Sequence, residues 1–388
     1  VTPFHAALLS VVLVGLAAAQ TSCPVCGDRG LVPCARHGDP AREDGVRWCS
    51  AVGACATCSG AGVVACPSCE AAGRPELAEL QRRAAAQRAS DARELDALAA
   101  DTVTVEQERV RLTVGSARPF RIGAVSLDAH ALAHRAADLV VEVRADFVAT
   151  FGLAEGELAA ADDRTTSDQE RLAAGTPSPQ LRLLLFRDLA AARRASPRFV
   201  GLDLQGLGTL RLDARPTACV HLDPAVITED LALRQLVAHL TARLSLAQFV
   251  GSPGEHGHGW IEAGVAHLFE ARFGDRRNLF LGFGELVLQP TGTYRGGDFG
   301  DAVRRLAGEG KLRPFAALAA LQHEDFDLEA HAQALAVVEF MLEVGGGPRW
   351  IDCVRKVLAG AEPVAVFDAA YRSADRSLDQ RFAAWVLE

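Results

Sequence analysis

The sequence predicts an α+β fold, a small mixed sheet followed by a helical half, with a small cysteine-rich module ahead of it. Three observations lead there. Period-two alternation opens at Thr102 in TVTVEQERVRLTV, and apolar runs over 181–186, 208–213 and 217–222 read as further strands. From Thr228 onward the apolar residues recur at helical spacing to the end of the chain. Strands first and helices after is the signature of one α+β domain. Finally, eight of the ten cysteines fall between Cys23 and Cys69, which marks a local module rather than a framework spanning the chain.

The 388 residues suffice for two or three domains with a well-buried core. Hydrophobic residues make up 49% and charged residues 23%, the profile of a globular protein. A net charge of −9 leaves no basic footprint for nucleic acid or an anionic membrane. Residues 6–19, AALLSVVLVGLAAA, are too short to span a bilayer comfortably but fit the core of a signal peptide. Ala17 and Ala19 supply the small-residue cleavage pattern. The expectation is an exported protein, periplasmic or extracellular, with no transmembrane anchor. The predicted organisation is 1–19 signal peptide, 20–73 cysteine repeats, 74–101 spacer helix opened by Pro75 with Glu76 and Glu79 in its first turn, and 102–388 the α+β domain. In that last part a helix is expected over 127–151, a polar loop after it, and a helix over 231–249.

The cysteines form an internal repeat. Cys23-Pro-Val-Cys26 is followed by Gly30, Cys34 and His37; Cys55-Ala-Thr-Cys58 is followed by Gly62, Cys66 and Cys69. In both copies seven residues separate the two pairs and glycine stands at the same offset. A C-x-x-C turn aims two thiolates at one tetrahedral ion, and a second such pair completes the shell. The expected cofactor is therefore structural zinc at two sites, one using Cys23, Cys26, Cys34 and His37, the other Cys55, Cys58, Cys66 and Cys69. Cys49 is left over. Disulfides are the other reading an exported chain permits, although histidine at 37 suits a metal and not a disulfide. The C-x-x-C-x-G-x-G form at 55–62 resembles the zinc-binding repeat of DnaJ-type chaperones over about fifty residues. That resemblance implies a zinc-ribbon module, and as one functional option a holdase acting through it.

Two stretches of the helical half carry a second resemblance. Trp260-Ile-Glu262-Ala263-Gly264-Val-Ala-His267-Leu-Phe-Glu270 is similar to the second-helix pattern of gluzincin-type zinc metallopeptidases, and residues 329–342 look like the helix that packs behind the site in such proteins. The order of strands and helices from about Thr102 to the end also resembles that of the exported peptidase MA-like family. In that family H-E-x-x-H sets two imidazoles on one helix face around a general-base glutamate, and a further glutamate comes from the next helix. Here the motif reads His239-Leu240-Thr241-Ala242-Arg243, and Ala263 stands at the third ligand position. A guanidinium has no lone pair to donate to a metal. The expected outcome is a remnant site of His239, Arg243 and Glu262 with no catalytic residues, and an ion pair between Arg243 and Glu262.

The function expected is thus non-catalytic, a pseudoenzyme that binds an unidentified protein or peptide partner. The alternative is an active metallohydrolase using His239 with Glu255, His256, His258 or Glu262. His267 is expected on a partly exposed helix face, and His221 as a satisfied histidine at a strand end.

Overall fold

The computed structural model describes residues 30–33, 48–49, 63–68, 75, 77–79, 81–82, 85, 102–107, 110–115, 119–154, 181–204, 206–212, 216–254, 257–274, 299–322 and 325–388. The expected signal peptide, the polar loop after residue 154, Cys23, Cys26, Cys34, His37, Cys55, Cys58, Cys69, Glu255 and His256 lie outside these residues. The described positions between 75 and 85 are helical, where the spacer helix is expected.

Two short strands from the cysteine repeats, β1 (Leu31–Pro33) and β3 (Val63–Ala65), pair antiparallel. The register sets Val32 against Val64, which occupy equivalent places in the two repeats. The strands are therefore related by a local two-fold through that pair. The Cys66 N–H donates to the Gly30 carbonyl at 2.9 Å and extends the ladder.

The main sheet is mixed, as expected of the α+β class. Five strands of four to six residues are β4 (Thr102–Gln107), β5 (Val110–Gly115), β8 (Leu181–Phe186), β9 (Gly208–Arg211) and β10 (Thr217–His221). At one edge they are extended by the two-residue β2 (Trp48–Cys49), giving the order β2-β4-β5-β8-β10-β9. The strand pairing thus ties the cysteine-rich segment to the large domain, and Cys49 lies in its edge strand. The run from Thr102, expected as one strand, is a hairpin, with Gln107 paired to Val110. The apolar residues stand at 103 and 105 before the charged Glu-Gln-Glu-Arg stretch and at 110, 112 and 114 after it, and this change of phase marks the turn. A second hairpin, β6 (Phe120–Ile122) and β7 (Val125–Leu127), precedes the first long helix.

β5, β8 and β10 are parallel, and helical crossovers cover both faces, as parallel strands require. The first crossover contains α1 (Ala129–Phe151), started by Asp128 accepting from the Ala131 N–H at 2.7 Å. The second contains α2 (Leu189–Phe199), capped the same way by Asp188. β8 reads LRLLLF because both its faces are covered. Leu181, Leu183 and Leu185 join the main core, while Leu184 and Phe186 join the smaller one under α2.

The helical half follows: α3 (Asp230–Phe249), α4 (Gly259–Phe273), α5 (Phe299–Gly308), α6 (Phe315–Ala319), α7 (Leu328–Leu358), α8 (Pro363–Tyr371) and α9 (Leu378–Leu387). α7 breaks at Gly346, whose φ of 76° only glycine adopts readily. α3 and α4 sit at the centre. α3 is buried almost continuously from Leu233 to Phe249, and α4 from Gly259 to Glu270. A helix apolar on all sides is a central helix. Gly264 lets α4 approach α7, since a Cβ there would stand 2.6 Å from the Ala334 carbonyl oxygen and from Val338. Among the described residues no helix is long and apolar enough to cross a membrane.

Candidate functional site

α3 and α4 are joined by a short connection and run antiparallel, so advancing along one means retreating along the other. His239 and Arg243, four residues apart, share one face of α3. That face meets Glu270 near the end of α4 and Glu262 near its start. Two buried polar groups result, side by side on the same helix interface.

The first is the ion pair expected from the sequence. Arg243 donates through Nη2 to Glu262 Oε2 at 2.7 Å. The other carboxylate oxygen accepts from Ser252 Oγ at 2.6 Å and from the Gly254 N–H at 2.8 Å. Glu262 is 2% exposed and Arg243 7%. Each oxygen of Glu262 is thereby engaged, and the turn at 252–254 is fastened to α4.

The second group was not foreseen. Glu270 accepts from His239 Nδ1 through one oxygen and from His267 Nδ1, at 2.9 Å, through the other. His267 Nε2 lies 2.9 Å from His331 Nδ1 on α7. With Glu270 a carboxylate, both imidazoles facing it carry their protons on Nδ1. His267 Nε2 is then the acceptor, and His331 must donate from Nδ1. His267 and Glu270 are fully buried, His239 is 1% and His331 3% exposed. Phe299 stands edge-on to His267 and Phe326 to His331. Burial, and after it the charges of His331, His239 and Arg243, holds the His267 imidazolium well below the usual histidine range.

This corrects the placement of His267 on a partly exposed face. The helix has no such face at that turn, because α3 and α7 cover it on both sides. His239 is buried with Glu270. His258 lies at the N-cap position of α4, and Glu262 is held by Arg243, Ser252 and Gly254. His221 behaves as expected, with its Nε2 3.0 Å from the Arg187 carbonyl. Glu270 and His331 were within reach of sequence reasoning. The signal was the presence of His-x-x-Glu, and of a histidine at 331, inside helices whose other positions are apolar.

The zinc of an H-E-x-x-H site does not fit the residues at its expected position. Leu240 and Ala263 are buried hydrocarbon, and Arg243 is a cation engaged with Glu262. His239, His267 and Glu270, however, offer one donor atom each within 4.8 Å of one another, and these three could hold a metal ion. Among the described residues, two open clefts lie along α4. One, of about 660 Å3, is lined by Glu142, Asp146, Arg234 and Arg272; the other, of about 450 Å3, by Leu268, Arg272, Glu339 and Glu343.

Two outcomes are expected of this site. Arg243→Ala should cost about 3–5 kcal/mol of unfolding free energy by leaving Glu262 buried without its cation, whereas Arg243→Met combined with Glu262→Leu should cost less, because no charge is then stranded and only the Ser252 hydroxyl and the Gly254 N–H lose their acceptor. A urea-denaturation double-mutant cycle measures both. The second outcome concerns pH. The folded state refuses the proton that His267 takes up in the unfolded chain, so its contribution is complete above about pH 6.5 and declines as pH falls below it. His267→Gln should flatten that decline in denaturation curves taken across pH 5–7.

No family model matches this chain, and neither a curated protein nor a solved structure is found to be similar to it.

Proposed function

We propose that this is an exported, non-catalytic binding protein: a zinc-held cysteine repeat joined to a metallopeptidase-like domain whose catalytic position has been closed by an ion pair. The observation that carries this reading is the Arg243–Glu262 contact at 2.7 Å. In a gluzincin-like frame Arg243 stands where the second metal ligand would be, and its charge is spent on the adjacent helix. Leu240 cannot act as a general base. The metallohydrolase alternative built on His239 with Glu262 is disfavoured by the three hydrogen bonds that Glu262 already accepts. The partner class is a protein or peptide, for which the open clefts beside Arg272 leave room. Export rests on the apolar stretch 6–19.

Zinc in the cysteine module follows from its spacing, and the β1–β3 pairing suggests how the ligands group. β1 lies between Cys26 and Cys34, β3 between Cys58 and Cys66. Antiparallel pairing, with the Cys66 N–H on the Gly30 carbonyl, sets the end of β3 beside the start of β1. That register favours ligand sets drawn from both repeats, Cys23 and Cys26 with Cys66 and Cys69, and Cys34 and His37 with Cys55 and Cys58. The grouping within each repeat, read from the sequence, is the alternative.

Metal analysis separates the two groupings. Cys26→Ser with Cys66→Ser should remove one zinc if the sets cross the repeats and two if they do not. For the domain, the full-length protein incubated with zinc should cleave an unfolded protein substrate no faster than buffer does. Hydrolysis abolished by a chelator would overturn the non-catalytic reading. Suppression of client aggregation by residues 20–73 alone would instead favour the holdase.

A further inference from the structure

We infer that His239, His267 and Glu270 form a buried binding site for a divalent transition metal, distinct from the ligand positions of H-E-x-x-H and separate from the cysteine repeat. The inference extends the non-catalytic reading above and rests on it only for the site's role.

The donors come from two helices that the packing already holds together. His267 and Glu270 are three apart on α4 and face the same way. His239 meets them from α3, and the three donor atoms lie within 4.8 Å of one another. Two imidazoles and one carboxylate suit zinc or a neighbouring first-row divalent ion rather than magnesium or calcium, which take oxygen. Tetrahedral ligation at about 2.0–2.1 Å sets donors roughly 3.3–3.4 Å apart. The 2.9 Å between His267 and Glu270 therefore needs to open by a few tenths of an ångström, and the closer His239–Glu270 contact by more.

The surroundings fit the same chemistry. A ligating histidine normally donates its other ring N–H to a fixed acceptor, which sets its tautomer. His267 has such a partner in His331 Nδ1 at 2.9 Å. Metal entry would displace the protons from Nδ1 of His239 and His267, as binding to nitrogen requires. His267 would then carry its proton on Nε2 and donate to His331, reversing the bond inferred above. Phe299 and Phe326 provide an apolar wall around the pair. His331 is in this arrangement a positioning residue.

The resulting site is a clamp between α3 and α4. Neither His267 nor Glu270 stands at a family ligand position, and the residue following His239 is Leu240. The expected consequence is stability without hydrolysis.

The test uses the full chain. Protein is reduced, stripped of metal, alkylated at its accessible thiols and then titrated with zinc chloride. One zinc per chain should still bind, and the thermal midpoint should rise with zinc. Glu270→Gln and His239→Asn should each abolish that equivalent. Cobalt in the same preparation should give ligand-field bands without thiolate charge transfer. No zinc bound by the alkylated wild-type protein would overturn the site, whatever the variants do. Chelator-sensitive hydrolysis alongside one bound zinc would uphold the site and overturn the non-catalytic reading. An absence of both would remove the site alone.

Discussion

The contact between Arg243 and Glu262 sets the terms for the centre of the molecule. It joins the middle of α3 to the first turns of α4, and through Ser252 and Gly254 it also fixes the turn connecting them. A buried pair of this kind contributes little net stability relative to hydrocarbon, because desolvating both charges offsets their attraction. What it does enforce is pairing. Neither residue can leave without stranding a charge among Leu, Val and Phe side chains, so the relative placement of α3 and α4 is specified rather than merely favoured.

The same logic governs the second group. α3 and α4 are buried on nearly every side, so each polar residue on them needs a partner in the protein. Glu270 is satisfied by one histidine from each helix, and His331 extends the chain to α7. Gly264 permits this by letting α7 come close enough for His331 to reach His267. Parallel strands under α1 supply the wall on which α3 rests, with Phe147 and Phe249 stacked between them. The sheet therefore positions the helices, the helices position the polar groups, and the polar groups fix the register between helices.

Much of this was legible in the sequence, and the exceptions have physical causes. The strands at 181–186 and 217–221, the long helices and the α+β class follow from apolar periodicity. The Arg243–Glu262 pair follows from placing an arginine opposite a glutamate on adjacent helices. The hairpin at 102–115 is easily taken for one strand because its turn, Glu106 to Arg109, holds no glycine or proline and shows only as a change of apolar phase from 103 and 105 to 110, 112 and 114. α2 was hidden because its Ala- and Arg-rich sequence carries few large apolar residues. His267 was misplaced for a different reason. An i, i+3 histidine and glutamate on an isolated helix look solvated, and only the count of helices packed around α4 turns them inward. His331 appeared in the sequence only as part of a helix behind the site, since nothing local indicates that its ring reaches α4.

His239 shows how much of a site depends on neighbours rather than on the residue itself. Leu240 and Arg243 beside it on α3, and Ala263 on α4, offer a metal no ligand. Were it left alone, a buried imidazole would cost roughly what any unsatisfied polar group does, about 1–3 kcal/mol. Glu270, two helical turns from Glu262, removes that cost and places a carboxylate and a second histidine within ligand reach of the same ring. Arg243, which holds Glu262, and Glu270, which holds His239, therefore act side by side on one antiparallel interface.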